Sequence, residues 1–103
     1  MPHYVMENVL NNPLPCSVEE QKALVPAHKA FVAEWLNKGR VLAAGPRAAG
    51  GGGFIILRAD SREELDEYIK TDPFIQKGIN YYIINEFKPF DYPDSVAQWV
   101  ADG

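Results

Sequence analysis

Cysteine occurs once in this 103-residue chain, at Cys16. A single thiol excludes an internal disulfide and any zinc site built on clustered cysteines. Cys16 follows Pro15 in a proline-flanked loop, no neighbour marks it as a nucleophile, and it reads as an incidental thiol. Histidine is nearly as scarce, with His3 and His28 only. A metal centre made of His3, His28 and Asp72 would need three converging ligands, and nothing in the sequence brings His3 to the other two. Clustered positive charge is missing as well. The ten Lys and Arg residues are scattered through a chain of net charge -4, which leaves no electrostatic footprint for DNA, RNA or an anionic membrane. No apolar run approaches the ~18 residues of a membrane-spanning helix, and Met1-Pro2-His3-Tyr4 lacks the basic-then-apolar layout of a signal peptide. The expectation is a cytoplasmic protein with no nucleic-acid and no membrane partner.

What remains is ordinary globular material. The 47% apolar and 23% charged residues can build a real core, and the length suits one domain, since domains peak at about 100 to 150 residues. His3 to Leu10 mixes β-branched, aromatic and polar residues ahead of Asn11-Asn12-Pro13, the pattern of a strand ended by a turn. Ser17-Val18-Glu19-Glu20 has the S-x-x-E spacing of a capping box and starts a helix. Pro26 falls inside that helix and predicts a kink or short break just before His28. Gly39 stops it.

Val41 to Ala44 and Phe54 to Arg58 read as two strands, with Gly50 to Gly53 as a hairpin linker. No Gly-Lys-Ser/Thr follows the glycines and no helix comes next, so a phosphate loop is the poorer reading. Asp60-Ser61 caps a second helix with Leu65, Tyr68 and Ile69 on its apolar stripe. Thr71-Asp72-Pro73 closes it, and Phe74 to Lys77 adds a turn before Gly78. Tyr81 to Phe87 is the last strand. Asp94 to Ala101, carrying Val96, Trp99 and Val100, suits a short docking helix. Residues 1–90 thus form the domain and 91–103 a C-terminal tail.

Strand, helix, strand, strand, helix, strand is the split β-α-β order of a ferredoxin-like α+β fold: a four-stranded antiparallel sheet with two helices on one face. Phe54 to Leu57 and Tyr81 to Ile84 are apolar at consecutive positions, as in strands covered on both faces. Two helices cover only one face, so a second copy packed sheet against sheet is expected, making a homodimer.

Leu24, His28, Phe31 and Trp35 fall on one stripe of the first helix, which turns His28 inward. An inward imidazole needs a partner, because an unpaired buried polar group costs about 1 to 3 kcal/mol. Asp72 is the candidate. A carboxylate fixes the tautomer of an imidazole and makes a tunable acid or base near neutrality. Asp72-Pro73 is equally a plain helix cap.

Pro26-Ala27-His28, Ala44-Gly45-Pro46, Thr71-Asp72-Pro73-Phe74, and Gly78 before a strand ending in Lys88-Pro89-Phe90 together resemble the YciI-like proteins over about residues 3–90. The resemblance implies a dimeric α/β barrel of ferredoxin-like subunits, with His28 and Asp72 matching the family's His-Asp pair in a cavity between helices and sheet. The family includes a dehydrochlorinase acting on a chlorinated hydroxyhydroquinone in aromatic degradation, and the fold is shared with muconolactone isomerase. By that resemblance the chain is a lyase-like or isomerase-like enzyme acting on a cyclic, aromatic or phenolic small molecule, without a cofactor. A non-catalytic metabolite-binding dimer is the alternative. A haem barrel would need far more aromatic and aliphatic lining than these residues supply.

Pro46 and Arg47 are expected at the substrate. Arg47 departs from the family, where an apolar residue is frequent after Gly-Pro. Turned into the cavity its guanidinium would favour an anionic substrate, and turned outward it is a solvated loop arginine. Trp99 either reaches over the dimer or anchors the terminus.

Overall fold

The computed structural model describes residues 1–102. Strands β1 (His3–Leu10), β2 (Val41–Pro46), β3 (Gly52–Arg58) and β4 (Asn80–Phe87) alternate with helices α1 (Val18–Asn37), α2 (Arg62–Ile69) and the single turn α3 (Pro73–Gln76). The strands form one antiparallel sheet in the order β2-β3-β1-β4. This is the ferredoxin-like α+β topology, in which each helical crossover lets the chain skip a neighbour.

Local chemistry sets the helix ends. Ser17 Oγ accepts the Glu20 backbone N–H at 3.1 Å and opens α1, and Ser61 Oγ does the same for Glu64 at α2. The expected break at Pro26 is absent, and α1 runs through it without interruption. Pro26 and Lys22, whose carbonyl loses its partner, both lie on the exposed side of the helix, where solvent can take the place of the missing donor. Gly39 ends the helix region at φ +74°, a left-handed angle that favours glycine.

Alternation along the strands sorts side chains into two layers. Tyr4 and Met6 of β1 and Ile55 and Leu57 of β3 point under the helices, where they meet Phe31, Trp35, Leu65 and Tyr68. Tyr68 stacks between Phe31 and Trp35, with ring centroids 4.2 and 4.0 Å apart. Its hydroxyl donates to the Phe31 carbonyl at 2.6 Å, so the buried phenol keeps a partner.

The glycine run is divided rather than uniform. Gly50 and Gly51 lie in the turn, whereas Gly52 and Gly53 belong to β3. A Cβ on Gly52, at φ +147°, would sit 1.8 Å from the Asn8 carbonyl oxygen of the adjacent strand. The backbones therefore approach too closely for any side chain. Gly52→Ala is expected to cost at least about 2 kcal/mol of unfolding free energy in urea titration, while Gly50→Ala, with open space around it, costs less.

The other sheet face is apolar and half open, with Phe54, Tyr81 and Ile83 each more than two-fifths exposed. Only its His3 end is covered. There α4 (Ala97–Ala101), entered through a 3₁₀ turn, sets Trp99 edge-on to His3 and beneath the Arg58 guanidinium, 5.3 Å away in each case. The indole N–H donates to the Gly39 carbonyl at 2.9 Å. Within one chain, Trp99 anchors the terminus.

Candidate active site

α1 and α3 bring the two sequence candidates together across 44 positions of chain. His28 Nδ1 lies 2.9 Å from Asp72 Oδ1. The imidazole is held flat by Phe74, whose ring is parallel to within 5° at a centroid distance of 4.4 Å. Asp72 is completely buried, and the two readings of it prove compatible. Besides meeting His28, its Oδ1 accepts the Phe74 backbone N–H at 3.0 Å and so caps α3, with Pro73 in the first turn.

The second carboxylate oxygen accepts the Tyr82 hydroxyl at 2.6 Å and the Asn80 amide at 3.5 Å. Burial pushes the Asp72 carboxyl upward, but the hydrogen bonds from His28, Tyr82 and the Phe74 N–H outweigh it and hold the group below its usual range. Burial, and the proton it shares with Asp72, push the Tyr82 phenol far upward, so it stays a neutral donor. An ionised carboxylate only accepts, so in the neutral form of the imidazole it keeps the proton on Nδ1 and leaves the Nε2 lone pair free.

His28 forms part of the wall of a cavity of about 470 Å³ between α1 and the β1-β2-β3 side of the sheet, a size typical of small-molecule sites. The lining is mainly apolar, with Val25, Val32, Leu36, Ile55 and Phe74 among the contributors; Asn8, Gln21, His28 and Lys29 are its polar members. Pro46 lines this cavity. Arg47 does not; its Nη1 meets Glu7 Oε2 at 3.3 Å. Strand alternation explains the difference, because Arg47 continues the side of Ala43 and Gly45, opposite to the cavity-facing side of Ala44 and Pro46. The anion-binding guanidinium expected of Arg47 is thus not part of the cavity in a single subunit.

His3 stands on the far sheet face beside Phe87 and Trp99. Among the described residues no three His, Cys, Asp or Glu side chains cluster as a metal site, and no helix is long and apolar enough to cross a membrane.

Three residues of this network escaped sequence reasoning: Asn8, Asn80 and Tyr82. The signal for Asn8 was present, since it continues the inward row of Tyr4 and Met6 with a polar side chain. Tyr82 was hidden in the unbroken apolar run of β4, where both faces look alike.

A one-sided hollow under a ferredoxin-like sheet, with an imidazole–carboxylate pair in its wall, defines a small α+β chain built around a ligand-sized cavity. The chain belongs to the YCII-related domain family, whose model matches residues 3–88. Among solved structures it is similar to a 5-chloro-2-hydroxyhydroquinone dehydrochlorinase from Burkholderia phenoliruptrix, determined in complex with 2,5-dihydroxybenzoquinone. The TM-score is 0.70 at 20% identity, covering 85% of this chain and 95% of that one. It is also similar to an antibiotic biosynthesis monooxygenase, with TM-score 0.57 at 13% identity over 88% of this chain and all of the other. At such identities the likeness is one of fold. No curated protein matches the chain in sequence.

Proposed function

We propose that this protein is a small-molecule enzyme in which His28, oriented by Asp72, moves a proton on a cyclic, oxygenated, aromatic or phenolic substrate. The observation that carries the reading is the His28–Asp72 contact at the wall of an apolar cavity. A neutral imidazole with Nδ1 committed to a carboxylate offers Nε2 as a general base. In an elimination, Nε2 takes a ring proton, the released electron pair forms a new double bond, and the leaving halide departs with its own bonding pair. In an isomerisation the same proton returns at another carbon. The dehydrochlorinase of similar fold was determined with 2,5-dihydroxybenzoquinone, an oxygenated ring, and a ring of that kind suits a cavity lined mainly by aliphatic and aromatic groups.

The test is a thermal-shift screen of chlorinated hydroquinones, phenols and lactones, followed by product analysis and chloride release. Stabilisation with turnover supports the enzyme. Stabilisation with no product from any ligand supports a binding module instead, because a ligand bound only to the folded state raises stability without chemistry.

The working unit in this proposal is a homodimer. Phe54, Ile56, Tyr81 and Ile83 make an apolar sheet face that the tail leaves open, and a second copy of the same face is self-complementary. Equilibrium sedimentation at about 0.1 mM is expected to give twice the chain mass, and Ile83→Glu the mass of one chain. A monomeric wild-type protein at that concentration removes the dimer.

A further inference from the structure

The cavity holds a second polar group that the acid–base pair does not use. Asn8 is 7% exposed. Its Oδ1 accepts from Asn80 Nδ2 at 2.6 Å, and that same amide nitrogen lies 3.5 Å from Asp72 Oδ2. A carboxylate only accepts, so Asn80 must present its NH₂ group toward Asp72. The same NH₂ then meets Asn8, which must answer with its oxygen. The Asn8 amide is thereby locked with its own NH₂ group on the other side. That nitrogen has no hydrogen-bond partner among the described residues and is not sealed from solvent, and Asn8 is one of the residues lining the cavity. The arrangement leaves Asn80 Oδ1 buried without a partner, which is what results when the carboxylate, rather than the amide's own satisfaction, decides the orientation.

We infer that Asn8 is a substrate-binding residue whose side-chain NH₂ donates to an oxygen of the ring substrate, in a polarity fixed by Asp72 through Asn80. One buried carboxylate thus prepares two complementary groups in one cavity, a free base on His28 and a free donor on Asn8. The substrate class follows: a flat, largely apolar ring bearing a hydroxyl or carbonyl oxygen. When His28 Nε2 takes a proton from such a ring, the electron pair left behind delocalises onto that oxygen, and a hydrogen bond to a charged oxygen is stronger than one to a neutral one. Asn8 therefore favours the deprotonated form over the starting one, which is the condition for accelerating the step. The inference rests on the proposed cavity chemistry and adds the electrophilic partner to it.

The probe is 4-nitrophenol, whose ionisation is visible in its absorbance, with toluene as a ring that has no oxygen. The wild-type protein is expected to bind the phenol in its ionised form at a pH where the free compound is still largely protonated. Asn8→Leu, which keeps the branched skeleton without a donor, is expected to weaken phenolate binding about ten- to a hundredfold, with toluene still bound. Asn8→Ala, which also lacks a donor, serves as a smaller alternative if the leucine variant does not fold, as judged by circular dichroism. In the unmutated protein, proton–nitrogen NMR should show the Asn8 side-chain NH₂ signals shifting downfield on adding the phenolate. Equal phenolate affinity in wild type and a folded Asn8 variant, or unmoved Asn8 signals in the bound protein, overturns the role of Asn8 and leaves the His28–Asp72 proposal standing. If the wild-type protein binds neither probe, the ring-binding cavity fails and this inference with it.

Discussion

His28→Ala is expected to lose between about 10² and 10⁴ in turnover, the usual worth of a positioned general acid or base. The protein should keep its fold, because the imidazole lies at the cavity wall rather than in the Tyr4–Trp35 core. Asp72→Asn should fall nearly as far for a different reason. An amide at that position can donate to Nδ1, which shifts the imidazole proton to Nε2 and abolishes the base while its ring remains in place. Rates on any converted substrate, with circular dichroism to confirm folding, check both variants. A folded His28→Ala protein with full activity removes the proposed mechanism.

Asp72→Ala should be far more damaging to stability than to local shape. Its carboxylate accepts from four donors at once: His28 Nδ1, the Tyr82 hydroxyl, the Asn80 amide and the Phe74 backbone N–H. Removing it leaves buried donors with no acceptor, each costing about 1 to 3 kcal/mol where water cannot reach. A total near 3 to 5 kcal/mol is expected in urea unfolding, comparable to breaking a buried ion pair and a large share of the ~5 to 15 kcal/mol that holds a domain together.

The same group predicts the acid response. Because folding lowers the Asp72 carboxyl below its ordinary value of 3.8, its stabilisation is present in full above that pH. It is lost as pH falls through the lowered native value, where the folded state must take up a proton it binds poorly. Wild-type stability should therefore decline below about pH 4 more steeply than that of Asp72→Ala, measured by urea midpoints across that range.

Much of the fold was legible because its signals are local. The Ser17 and Ser61 caps, the Asp72-Pro73 start and the strand-forming segments each depend on a few neighbouring residues. Reading the helical repeat turned His28 inward, which required it to have a partner. Local rules failed where the environment decides. The helix passes through Pro26, which sits on its exposed side where solvent can reach the unpaired carbonyl. Gly52 and Gly53 enter a strand because the Asn8 and Gly45 backbones lie against them. Arg47 turned from the cavity because strand parity and Glu7 drew it to the other face.

The sequence by itself determined the order of elements, the amphipathic stripe of α1 and the residue types able to do acid–base chemistry, since periodicity and capping act within a turn or two of chain. Only the tertiary structure decided that Asp72 joins His28 to Tyr82, Asn80 and, through Asn80, Asn8. Asp72 caps α3 while those partners come from β1, α1 and β4, and hydrogen bonds of fixed length and polarity between such distant segments exist only once packing has brought the segments together.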